Sequence, residues 1–474
     1  MNAAVQSPLV RTLNNIPAKA NNFTHGIADN VPPVSFDRLE TKQYQGPTWS
    51  AYNPLVGGEV SRFRIAELGY LNRMYLRVRV ACTLHDALSL TGGTLTPIAR
   101  GTSLIDEVTI TTHNKQIERL YGDTILSWAS RQPDFPVLAR GLKGFFVGCS
   151  TSPSAAGTAA NVPCEPVPDD LLPNSAAESF VPHAVNLDAT NTHAAIEYYI
   201  PLPFSAMVTP AQNFQTRFVE DLEVHVRWSN AGRNITDETA DFAIGDVTLV
   251  STYHNFHNNI ENSIRNTNYQ RGTPASQLGT DWIRNSSYTP IPQGTSGLTV
   301  ELKSNNLAKG VLLVFSLKDG YYESVGGKPP TFDGPTATAS STFTPPRLEF
   351  GLEFRGSGRT LWKTTMLENR LMDSKRYYLN TMNPEGGTDC PYMEIMRDEW
   401  GDQAVGLVYL PFGFSANPQI QSGAVALQTL SNPEIIVTKG PAVGPAVYVT
   451  SYVQMHDMWR IDSDTGVVVR TLDV

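Results

Sequence analysis

SLIDEVTITTHNKQIERLYGD, residues 103–123, decides how the rest of the chain is read. A strand-like run, VTITT, meets a polar corner, HNK, and a second short run, QIERL, follows. Runs rich in β-branched residues that flank a short polar step predict a hairpin. Asp106 and Glu107 are the best general acid–base candidates in the chain, because glycosidases use paired carboxylates on β scaffolds. Neighbouring residues on a strand point to opposite faces, so the pair is not expected to converge on a substrate. The expectation is a solvated strand end, a polar turn at 113–115, and Ile110 and Ile117 facing a core.

The hairpin is answered later in the chain. ITTHNKQI (110–117) aligns with FRGSGRTL (354–361), an offset of 354−110 = 244. Two further pairings keep the same order. RFRIAELGYLNRMYLRVRV (62–80) aligns with TVELKSNNLAKGVLLVFSL (299–317) at 302−65 = 237. YIPLPFSA (199–206) aligns with YLPFGFSA (409–416) at 414−204 = 210. Such self-similarity is the signature of a repeated structural unit. The reading is an N-terminal arm at 1–35, a first β domain at 36–250 and a second at 251–474.

Composition supports this. Among 474 residues, 41% are hydrophobic and 17% charged, against about 25% charged in an average domain. There are 36 glycines, 33 prolines and 9% aromatics, which fits an all-β protein with long ordered loops. MYLRVRV (74–80) alternates Met74, Leu76, Val78 and Val80 with Tyr75, Arg77 and Arg79, which predicts a half-buried strand. LEVHVRW (222–228) alternates likewise, and DTILSWAS (123–130) carries the best short helical signal. Long excursions rich in Ser, Ala, Gly and Pro occupy 143–193 and 324–346. Each repeat is too large for an immunoglobulin sandwich and suits a jelly roll with inserted loops. The fold class is therefore all-β: two tandem jelly-roll β-sandwich domains with long loop insertions and a few short helices.

A net charge of −9 and a pI near 5.5 argue against direct sequence-specific nucleic-acid binding, which needs a basic surface. Residues 1–28 are locally positive, with Arg11 and Lys19 and no acid. Cys82, Cys149, Cys164 and Cys390 show no C-x-x-C spacing, and reduced thiols are expected. Neither a secretory h-region nor an apolar run of ~18 residues occurs. No nucleophile elbow, phosphate loop or zinc-protease motif is present. His254 and His257 form H-x-x-H, expected in a surface loop, and two histidines do not complete a zinc site. His456–Asp457 lacks a nucleophile. No catalytic, cofactor or metal residue is assigned. Sequons stand at Asn22, Asn234 and Asn285, and without an export signal they are expected to be chance matches.

LIDEVTITTHNKQIERLYGDTIL (104–126) resembles the hairpin-plus-helix segment of double jelly-roll major capsid proteins, which build the shells of tailless icosahedral double-stranded DNA viruses, the nucleocytoplasmic large DNA viruses among them. The family's "IDEV" strand, polar corner and Gln-to-Arg return strand have counterparts in Ile105–Val108, His113–Lys115 and Gln116 to Arg119. YYIPLPFSA (198–206) is similar to its "IPLPF" strand. GRTLW (358–362), Gln421–Ser422–Gly423 and SYVQMHDMWRIDSDTG (451–466) resemble its closing segments, although the proline of the family's "QPSG" step is missing. The resemblance implies a non-enzymatic virion protein, assembled in the host cytoplasm into homotrimers of six jelly rolls with a pseudo-hexagonal outline. Its implied partners are neighbouring capsomers, minor capsid and penton proteins, and an inner membrane reached by the N-terminal arm. The alternative is a carbohydrate-binding or carbohydrate-cleaving β-sandwich.

Overall fold

The computed structural model describes residues 35–46, 58–84, 93–95, 101–113, 115–129, 138, 141–142, 145–150, 185–187, 193–205, 214–216, 219, 221–229, 240–255, 276–291, 297–304, 306–316, 351–365, 407–412, 423–438, 447–461 and 468–470. The first half contributes strands β1 (Ser35–Lys42), β2 (Val60–Arg64), β3 (Tyr70–Leu84), β4 (Gly93–Leu95), β5 (Ile105–Thr112), β6 (Lys115–Tyr121), β7 (Phe145–Ser150), β8 (Val185–Leu187), β9 (His193–Pro201), β10 (Phe214–Gln215), β11 (Leu222–Trp228) and β12 (Ala240–Asn255). Helix α1 (Gly122–Ala129) follows β6 directly. The second half contributes β13 (Ser276–Ile291), β14 (Gly297–Glu301), β15 (Ala308–Ser316), β16 (Gly351–Gly356), β17 (Arg359–Thr365), β18 (Leu407–Pro411), β19 (Glu434–Thr438), β20 (Val447–Ile461) and β21 (Val468–Arg470).

Among the described residues each half forms two large antiparallel sheets, and β4 pairs with β8 apart from them. In the first, β1-β12-β3-β9-β7, with β10 on β3, accompanies β2-β11-β5-β6. In the second, β13-β20-β15-β18, with β21 on β20, accompanies β14-β19-β16-β17. The two four-strand paths are the same path walked twice, so the jelly roll is duplicated as the sequence predicts. β12 pairs with β3 as far as His254, so the first sheet runs past residue 250, and β13 opens the second at Ser276. The arm at 1–34 lies outside the described residues.

The duplication reaches single residues. Ile110 pairs with Glu118 and Phe354 with Trp362, again 244 apart. A bulge follows Ile110 and another follows Phe354. The turn repeats too: His113 (φ 47°) and Ser357 (φ 53°) both take the left-handed backbone, as a tight hairpin turn demands. Thr109 and Glu353 likewise face Arg119 and Lys363. β3 and β15 correspond at 237, each with an irregularity on its pairing with the long strand beside it. One expectation shifts. Ile200 sits opposite Leu76 and Val408 opposite Leu313, which sets the third offset at 408−200 = 208 rather than 210. A slip of two residues preserves which face each side chain occupies.

Alternation in sequence becomes two faces in space. In β3, Met74, Leu76, Val78 and Val80 are buried in the first core. Tyr75, Arg77 and Arg79 point outward, where Arg77 meets Glu40 and Arg79 meets Glu197. β15 behaves differently. Val311 and Leu313 join the second core, while Leu312 and Val314 join the first. Being covered on both faces explains why VLLVF does not alternate. Trp282, Tyr409 and Tyr452 also reach into the first cluster.

Ile110 and Ile117 are 2% and 1% exposed. Ile110→Ala and Ile117→Ala should each destabilise the chain by ~2–5 kcal/mol in urea unfolding, while Lys115→Ala in the exposed corner should change little.

Candidate functional site at the seam between the two rolls

The acidic and basic residues of 103–123 gather where the rolls meet. β5 carries a register irregularity against β11: Arg227 faces Glu107 and Trp228 faces Ile105. Asp106 is the extra residue. A bulge re-aims side chains, and here Asp106 and Glu107 converge on one guanidinium. Arg227 donates from Nε to Asp106 Oδ2 at 2.9 Å and from a terminal nitrogen to Glu107 Oε2 at 2.8 Å. The expectation of divergent, solvated carboxylates is therefore corrected. Both are half-buried and ion-paired, and Arg119 Nε lies 3.4 Å from Glu107.

From the second roll, Arg284 on β13 enters this cluster. Its terminal nitrogen donates to Asp106 Oδ1 at 2.8 Å. Its guanidinium stands 4.5 Å from the Tyr121 ring centre and 5.7 Å from that of Tyr452, and the two rings are 5.0 Å apart. Burial opposes the charge on Arg284, but Tyr452, Asp106 and Tyr121 outweigh it and raise its pKa. Tyr452 in turn donates its hydroxyl to Asp123 Oδ2 at 2.6 Å, in the first turn of α1. The sharp entry into α1 depends on Gly122, where a Cβ would sit 2.1 Å from the carbonyl oxygen of Thr102.

A second patch lies on β6. Arg119 donates its backbone N–H to Asp281 Oδ1 at 2.9 Å. Glu118, 1% exposed, accepts from Ser205 N at 2.9 and 3.0 Å and from Ser205 Oγ at 2.9 Å. Ser205 Oγ accepts from Thr280 N at 3.0 Å. Thus β6, the last strand of its sheet, is closed by β13. An inward-pointing charge and a covering element both protect a sheet edge from promiscuous pairing. Burial pushes the Glu118 carboxyl well above its ordinary 4.5; the Ser205 bonds oppose this, and Asp281 and Asp457 reinforce it.

The remaining candidates stand apart. His254 lies in β12, half-buried, rather than in a surface loop, and its Nε2 is 2.7 Å from Asn72 Nδ2. His257 falls outside the described residues. His456 is 2% exposed in β20; burial first, then Lys309, takes its pKa down to about 3, so it stays neutral. Asn22 and Asn234 also lie outside the described residues. Asn285, on β13, pairs its carboxamide with the backbone of Lys303, donating to O at 3.0 Å and accepting from N at 2.9 Å. Among the described residues no three His, Cys, Asp or Glu side chains gather as a metal site requires. Arg284, Tyr452 and Ser205 were not singled out from the sequence. The apolar run in β15 is the one signal that this face is covered.

These carboxylates are engaged by arginines and a serine, and the arrangement fastens two sheets together. The fold is shared with known structures. The quasi-atomic model of the PBCV-1 virus capsid matches at a TM-score of 0.55 and 13% identity, covering 92% of this chain and 96% of that one. The Faustovirus major capsid protein matches at 0.54 and 10% identity, covering 90% of each chain. No family model and no curated protein matches the sequence.

Two results are expected. Arg284→Ala should destabilise the chain by ~1.5–3 kcal/mol, the worth of a charge-assisted hydrogen bond, in denaturant unfolding. For Glu118, a folded pKa raised above the unfolded value gives stability that is complete below pH 4.5 and lost as pH rises through the raised value. Glu118→Gln carries no such loss, so its melting temperature should gain on the wild type as pH climbs above 4.5. A difference independent of pH would contradict this.

Proposed function

We propose that the chain is a structural major capsid protein that forms pseudo-hexagonal homotrimers and tiles an icosahedral shell. The observation that carries this is the duplicated jelly roll, fused by a buried seam and matched along nine-tenths of its length by viral capsid structures. A rigid block of two equivalent rolls is what a three-chain, six-cornered capsomer needs. In this reading the two rolls, the first closing with β12 at Asn255 and the second opening with β13 at Ser276, are the two building units, and the residues before β1 form an arm toward an inner membrane or minor capsid proteins. The long segments 143–193 and 324–346 are towers and inter-subunit loops. The partners are the other two chains of the trimer, neighbouring capsomers and penton proteins. The location is the virion, reached by assembly in the host cytoplasm. The acidic surface balance supports a shell protein that does not read nucleic-acid sequence.

The carbohydrate-cleaving alternative needs a free pair of acids, and Asp106 and Glu107 share Arg227 instead. Sedimentation and electron microscopy of the purified protein test the proposal. A trimer of 51.9 kDa chains with a hexagonal outline is expected. A persistent monomer at every concentration would overturn it.

A further inference from the structure

The seam inside the chain predicts the seam between chains. β1 and β13 are equivalent strands: Leu39 faces Ser251 on β12, and Ile283 faces Val453 on β20, with 283−39 = 244. The long strands correspond at 453−251 = 202 and agree with the β3–β15 offset. Asp281, which takes the Arg119 N–H across the internal seam, therefore has Asp37 as its counterpart. The counterpart of Arg119 is Lys363 on β17, since 363−119 = 244.

The two edges differ in cover. β6 is closed by β13. β17 ends its sheet, and among the described residues no strand pairs with its outer side. Ile117 is 1% exposed, whereas Leu361, its counterpart at 361−117 = 244, is 49% exposed. Asp37 and Lys363 are both exposed and opposite in charge. The sheet faces differ in the same sense. Leu312 and Val314, buried in the internal seam, have Tyr75 and Arg77 as counterparts at 237, on an outward face laced by Arg38, Glu40 and Arg77. A face that is covered within its own chain can be apolar. One that must remain soluble until a second chain arrives is better built from charges and tyrosines.

We infer that the β16–β17 hairpin of one copy docks on the β1–β12–β3 face of a second copy, with Lys363 and Leu361 set against Asp37 and Tyr75, as β6 docks on β13 within the chain. This rests on the trimer reading and specifies its contact. The pairing is head-to-tail, so it closes into a ring when each copy uses both surfaces once.

The test introduces Asp37→Cys and Lys363→Cys together, treats the protein with a short bismaleimide, and runs denaturing gels beside sedimentation. Covalent dimers and trimers are expected from the pair. Neither single variant should yield them, which controls for Cys82, Cys149, Cys164 and Cys390. An intact trimer whose paired variant gives only monomer bands overturns this contact and leaves the capsid reading standing. Monomers alone in sedimentation overturn both. Leu361→Asp offers an independent check, because its side chain is already exposed in the single chain. It should raise the protein concentration needed for trimer formation at least tenfold with the melting of the monomer unchanged. Unaltered assembly would overturn the contact.

Discussion

Arg284 holds the molecule together at its least forgiving point. It leaves its own sheet, enters the first roll, and meets Asp106 beside the paired rings of Tyr121 and Tyr452. Around it, Leu312 and Val314 turn the outer face of β15 into part of the first core. A sandwich normally leaves one face of each sheet to solvent. Here one sheet of the second roll is covered on both sides, which makes the two rolls a single block. The polar residues at the seam settle which alignment the block adopts, because an apolar face alone tolerates sliding. Asp106 and Asp281 accept only in one register, and Glu118 accepts only where Ser205 presents its backbone and hydroxyl together.

The same seam is chemically uneven. The Arg284 patch pairs opposite charges, while the β6 patch confines Glu118 near Asp281 and Asp457. The first is screened by salt, and the second loses its contribution as pH rises through the raised Glu118 value. Exposed ion pairs such as Arg38–Glu40 add little to stability.

Much of this was legible in the sequence. MYLRVRV and LEVHVRW alternate because one face of each strand is buried. The hairpin ITTHNKQI announced its twin FRGSGRTL, and the structure extends the agreement to the bulge and to the left-handed turn residue. The bulge at Asp106 was not legible, since register irregularities depend on the partner strand. That one residue reverses the reading of Asp106 and Glu107 from divergent to convergent. Arg284 was equally hidden, because nothing local distinguishes an arginine that solvates from one that crosses a seam. The burial of Ile117 and the exposure of Leu361 could not be separated either, as their local sequences place both at the same hairpin position.

Hydrogen exchange across β6 tests most directly whether the two rolls act as one block. Arg119 N–H is closed by Asp281 of the second roll, so peptides spanning 115–121 should exchange as slowly as those from the central strand β11. They should lose protection in step with peptides from 276–291. Rapid exchange across 115–121, at the rate of an open sheet edge and uncoupled from 276–291, would contradict the account.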